Sequence, residues 1–234
     1  MAETSSQSVT LGDVADNLLK DAERRNVPAS SMNQTPPYPP CDLLVVQGMM
    51  RRGGMPPRHL ERETTCLFGS EPWSAAWDSL VSAIAEGRSL FMAIVGPRGT
   101  GKTQLAVEGA RRVCEIESTQ KTPQERPAVY AKAMGIFVEI RQAMKGDDGE
   151  AKAIQKYVSP KMLIIDEIQE RGETEWEDRV LTHILDKRYD DPKKHTLILG
   201  NLKPDDVAKS LGSSVTSRIR ECGNLIVCDW PSFR

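Results

Sequence analysis

The stretch Gly96-Pro97-Arg98-Gly99-Thr100-Gly101-Lys102-Thr103 limits the fold more than any other part of this 234-residue sequence. It satisfies G-x-x-x-x-G-K-[ST], whose glycines let consecutive backbone N–H groups curl inward around phosphate oxygens. Such a loop works between a strand and a helix N-terminus, where the helix dipole adds positive potential. The flanks agree. LFMAIV at 90–95 is six apolar residues in a row, as a strand buried on both faces requires, and 102–116 carries helical patterning. In that setting all of 96–103 cradles ATP, Lys102 reaches the β- and γ-phosphates, and the Thr103 hydroxyl ligates Mg²⁺. G-x-G-x-x-G is not completed, since Gln104 stands where the third glycine after Gly99 and Gly101 would fall, so a dinucleotide fold is disfavoured.

The rest of the chain alternates in the same way. Trp73, Trp77, Leu80, Val81 and Ile84 recur at helical spacing, with Pro72 suited to a first turn. The two tryptophans read as core packing, with an adenine-stacking wall as the other use. Strands are predicted near 128–133 and at 162–166, 196–200 and 225–228, with helices over 135–144, 150–158, 174–190 and 204–220 between them. Alternation of this kind predicts crossover connections and a mostly parallel sheet with helices on both faces. Upstream, seven prolines lie before residue 60, each removing a backbone donor. Residues 1–60 therefore read as a flexible arm, open to a role in partner binding or to none, with the folded domain spanning 61–234.

Three more strand or helix ends carry candidate chemistry. Asp166-Glu167 closes the strand at 162–166, 64 residues after Lys102. An aspartate there faces the crevice where α/β sheets bind ligands and can hold Mg²⁺, while Glu167 can orient and polarise the attacking water. Asn201, 35 residues beyond Asp166, follows a third apolar strand, and its amide can both accept from that water and donate to the γ-phosphate. Arg218 and Arg220 lie in SSVTSRIRECG; arginine fits developing phosphate charge bidentately, and either one reaching a neighbouring subunit would tie hydrolysis to assembly.

Composition narrows the setting. No apolar run reaches 18 residues, so no membrane span is expected. Five cysteines at no metal-ligand spacing, and an opening segment without a charged-then-apolar pattern, predict free thiols in a cytoplasm. His59, His183 and His195 are scattered and suggest neither metal nor triad. The net charge of −2 leaves nucleic-acid contact to local patches: Lys145, Lys152, Lys156 and Lys161, or Arg51, Arg52, Arg58 and Arg62.

Beyond the P-loop, residues 50–234 resemble the AAA+ helicase loaders of the DnaC type and their transposition-helper relatives of the IstB type. GGMPPRH (53–59) is similar to the segment that enters the ATPase core in that family. LIIDEIQ (163–169), HILDKRYDD (183–191) and ILGNL (198–202) resemble its Walker B, following-helix and sensor segments. LGSSVTSRIREC and DWPSFR (211–234) look like its ending. The resemblance implies an AAA+ core with a five-stranded parallel sheet and no C-terminal helical lid. It puts Arg218 in the arginine-finger position, with Arg220 as the alternative, acting in trans within a homo-oligomer. It further implies a slow ATPase in bacterial or phage-infected cytoplasm that loads a DnaB-like replicative helicase and engages single-stranded DNA. The alternative is a transposition helper assembling on double-stranded DNA. A P-loop small-molecule kinase would need an arginine-rich lid, which is not apparent, and a slow nucleotide-binding adaptor would need no turnover. One difference stands out: Gly200 precedes Asn201 where the family usually has Ser or Thr.

Overall fold

LFMAIV forms β1 (Leu90–Val95), and all six residues are buried. Successive strand side chains point to opposite faces, and here each face meets its own helical layer. In the computed structural model, which describes residues 41–61, 70–145, 149–222 and 225–233, Leu90, Met92 and Ile94 join one core cluster and Phe91, Ala93 and Val95 the other. With β2 (Ala128–Lys132), β3 (Met162–Asp166), β4 (His195–Gly200) and β5 (Leu225–Val227) the strands order as β2-β3-β4-β1-β5, every pair parallel. The expected five-stranded parallel sheet is present, and among the described residues no helical lid follows β5.

α3 (Glu71–Ala85) and α4 (Lys102–Ser118) cover the first face, and α5 (Ala133–Ala143), α6 (Gly149–Val158), α7 (Glu175–Tyr189) and α8 (Pro204–Cys222) the second. Pro72 sits in the first turn of α3, and Trp73 is fully buried with Trp77 packed partly against the same core. Core packing is therefore what these rings do. α7 has complementary ends: the Thr174 side chain accepts from Glu177 N–H, acids fill its first turn, and Lys187 and Arg188 fill its last. α8 is two helical stretches that meet at Gly212, whose φ of 80° and ψ of 161° are not helical.

The arm expected through residue 60 needs correcting from Cys41 onward. α1 (Leu43–Arg52) and the short α2 (Pro57–Leu60) pack on the first face, with Val46, Met49, Met50 and Met55 buried in its core. The prolines cluster on either side of residues 43–52, leaving room for ten helical residues with Asp42 capping through a bond from Leu44 N–H. Apolar positions at i, i+3 and i+4 then supply the buried face. Beyond α1, Gly53 accepts from Tyr130 N–H at 2.9 Å, so this segment runs along the outer edge of β2. Residues 1–40 lie outside the described part. No helix among the described residues is long and apolar enough to cross a membrane.

Candidate functional site

The parallel register brings the three predicted strand ends to one edge. Val95 pairs with Gly200 and Ile165 with Ile198, so Gly96, Asp166-Glu167 and Asn201 all leave the sheet together. Gly96, Gly99 and Gly101 have φ of 140, 87 and 83°, the left-handed side that a side chain resists and that the curled loop needs. α4 starts directly behind Gly101. Lys102 is buried, and its ammonium donates to the carbonyls of Gly96 at 2.7 Å and Pro97 at 2.6 Å, spanning the loop like a tie. Thr100 is buried with its hydroxyl donating to Pro97 O at 3.0 Å. Arg98 is exposed and lies 3.6 Å from Glu170.

Thr103 donates to Asp166 Oδ2 at 3.0 Å, joining the two residues expected to share a cation. The same oxygen accepts from Tyr130 Oη at 2.8 Å, while Asp166 Oδ1 accepts from Glu167 N–H at 2.7 Å. Burial, then the neighbouring Asp166 carboxylate, pushes the Tyr130 hydroxyl well above its ordinary pKa, so it stays a donor. Hydroxyl and carboxylate oxygens side by side are hard donors, the set that suits Mg²⁺ shared with phosphate. Glu167 is left-handed at φ 55°, and its carboxylate meets Lys132 at 2.8 Å. Asn201 N–H donates to Gln169 Oε1 at 3.0 Å, linking the β4 end to the 3₁₀ turn Ile168–Glu170. Gly200 has its own reason to lack a side chain: a Cβ there would lie 3.0 Å from Ile168 Cγ2 and 3.2 Å from Leu202.

Arg218 is not gathered here. Its guanidinium pairs with Asp186 and lies 5.0 Å over the ring of Tyr189, which itself meets Phe91 edge-on. Phe91 is the second residue of β1, four residues before Val95, so this cluster is ~13 Å down the strand from the P-loop. Of the basic candidates, Lys156 pairs with Glu139 and Lys161 with Glu117, while Arg51, Arg52 and Arg58 are exposed and Arg62 lies outside the described residues.

Sequence reasoning missed several residues. Tyr130 and Lys132 alternate along β2, and their parallel pairing with β3 was the available signal. Gln104 binds His59 twice, at 2.8 and 3.1 Å, and Glu108 at 3.0 Å, fastening α2 to the first turn of α4. Arg188 reads as surface charge but is buried, donating to Thr196 and to the carbonyls of Tyr157, Val158, Pro160, Lys161 and His195. Burial lowers its pKa to about 9.

Comparison with known proteins agrees with this geometry. The family model described as IstB-like ATP binding protein matches residues 82–216, more than half of the chain. No curated protein matches. Among solved structures, a DNA replication initiation factor aligns at TM-score 0.57 and 18% identity over 69% of this chain and 47% of its own. The DnaC helicase loader aligns at 0.50 and 22% over 64% and 85%, and DnaI at 0.52 and 15% over 79% and 100%. The chain thus spans about half of the initiation factor, and at such identities the likeness is one of fold. With the P-loop between β1 and α4 and the family match around it, this chain belongs to the IstB-like ATP binding protein family and has the AAA+ form of the P-loop NTPase core.

Proposed function

We propose that this protein is an ATPase that loads a replicative helicase, engaging single-stranded DNA as a homo-oligomer. The observation that carries the ATPase reading is the Thr103–Asp166 bond, since it joins the P-loop helix to the strand end bearing Glu167. Residues 96–103 bind the phosphates, with Lys102 exchanging its two carbonyl partners for β- and γ-phosphate oxygens. Thr103 and Asp166 hold Mg²⁺, which offsets phosphate charge when bound. Glu167 orients the attacking water and takes up its proton, and Lys132 steadies that carboxylate. The Asn201 amide senses the γ-phosphate. Arg218, remote from its own P-loop, serves the nucleotide of a neighbouring subunit.

The helicase-loading part is supported by the fold shared with the DnaC helicase loader and DnaI. A second reading goes with the IstB-like family match: a transposition helper assembling on double-stranded DNA. Turnover with single- and double-stranded DNA, followed by an ATP-dependent pull-down from the native host probed for a replicative helicase and a transposase, separates the two. Turnover raised by single strands together with helicase capture supports loading. Turnover raised only by duplex together with transposase capture overturns it.

A further inference from the structure

A loop that turns its N–H groups inward leaves several of its carbonyls facing the protein behind it, and a buried carbonyl needs a donor. Behind the P-loop three consecutive carbonyls each receive one from a distant part of the chain. Gly99 O accepts from Phe233 N–H at 2.9 Å and Thr100 O from Trp230 Nε1 at 2.8 Å, while Gly101 O, which already accepts from Leu105 N–H at 2.9 Å, also accepts from Trp73 Nε1 at 3.4 Å. Thr100 is 1% exposed and Trp230 8%, so water does not readily substitute for the indole. The segment after β5 is anchored where it begins, with Cys228 N–H donating to Val95 O at 2.7 Å. Contact is close throughout. A Cβ on Gly96 would lie 2.4 Å from Cys228 O, and one on Gly101 would lie 2.8 Å from Trp73 Nε1 and 3.3 Å from the Phe233 ring.

We infer that residues 228–233, with Trp73, form a brace that holds the P-loop in its phosphate-cradling shape. Trp230 is then a positioning residue for nucleotide binding, acting through Thr100 O and touching no phosphate itself. The inference rests on the P-loop reading above. It gives DWPSFR a job that needs no arginine: the indole and one backbone amide orient the loop from its convex side.

The test compares the full-length chain with Trp230→3-benzothienylalanine, which keeps ring size and replaces N–H by sulfur, and with Trp230→Phe. ADP affinity is read by titration, and amide hydrogen exchange of the nucleotide-free protein is followed peptide by peptide. The brace predicts about a tenfold loss of ADP affinity, the scale of one buried acceptor left unpaired. It also predicts faster exchange confined to residues 96–103, with β3 and β4 unchanged. Unchanged ADP affinity, or faster exchange spread evenly over the sheet, overturns it. If Trp230→Phe does not fold, the sulfur analogue alone decides. A wild-type chain that fails to bind ADP would sink the P-loop reading instead, and the exchange arm would still judge the brace.

Discussion

Thr103 and Asp166 share a hydrogen bond of 3.0 Å across 63 residues of sequence, and that bond fastens the start of α4 to the end of β3. Lys102, next to it, has two carbonyl partners that any phosphate must outcompete. Lys102→Ala removes the cation and the tie across Gly96 and Pro97 together. ATP affinity should fall about a hundredfold or more, the scale of two charge-assisted bonds, in an equilibrium titration. Unchanged affinity would exclude the loop as the phosphate site.

Glu167 stands in the left-handed region that costs a non-glycine residue roughly 1–2 kcal/mol. Two substitutions separate its backbone from its carboxylate. Glu167→Gln should keep ATP bound and lower turnover about a hundredfold or more, as expected for loss of a general base. Glu167→Gly should lower turnover as far, yet leave the melting temperature equal or up to ~3 °C higher, because relief of strain offsets the added chain entropy. Turnover near wild type in either variant removes Glu167 from the chemistry.

Much of this site was legible because its information is local. The P-loop is eight contiguous residues, and β1, β3 and β4 are unbroken apolar runs whose ends name Gly96, Asp166 and Asn201. What escaped depends on distant partners. α1 was hidden by prolines on both sides of it, although Val46, Met49 and Met50 already had helical spacing. Trp230 lies 130 residues from the carbonyl it satisfies, and no local pattern announces that. Arg188 looks like a solvated helix end and is instead the buried cation that gathers five carbonyls. Gly200 before Asn201 becomes intelligible only once Ile168 is seen against it.

That contact makes a prediction. Gly200→Ser, which supplies the side chain that the resemblance leads one to expect before Asn201, drives a Cβ to 3.0 Å from Ile168 Cγ2. Overpacking of this kind costs about 1–3 kcal/mol and should appear in denaturant unfolding. Ile168→Leu removes the branch at Cβ and should restore most of the loss when combined with Gly200→Ser. Additive losses in the double variant would show that the steric account is wrong.

His195 opens β4 at the edge of the sheet away from the P-loop, and burial, then Arg188 and Lys161, lower its pKa from 6.5 to about 4. The folded chain therefore keeps His195 neutral while the unfolded chain takes up a proton near pH 6.5. Stability from this group is complete above that pH and lost as pH falls from 6.5 toward 4, by about 3 kcal/mol at most. His195→Gln should flatten this part of the unfolding free energy between pH 6.5 and 4.5. An unchanged pH slope would assign the acid sensitivity to carboxylates.

Arg218 gives the sharpest test of assembly, because its own P-loop lies ~13 Å along β1 from the Phe91–Tyr189 cluster that holds it. Within one chain its work is modest: a partly exposed pair with Asp186, worth about 0–1 kcal/mol, and the contact over the Tyr189 ring. Arg218→Ala should thus lower the melting temperature by at most ~4 °C and leave ATP affinity within about twofold. Turnover should fall about a hundredfold or more, since only a neighbour's pocket loses its cation. Arg218→Ala subunits keep Glu167, and Glu167→Gln subunits keep Arg218. Mixing the two inactive variants should therefore regenerate competent interfaces wherever an intact Glu167 faces an intact Arg218. Recovery of a substantial fraction of wild-type turnover in the mixture supports action in trans, whereas a mixture no more active than its parts would return Arg218 to a purely structural pairing with Asp186.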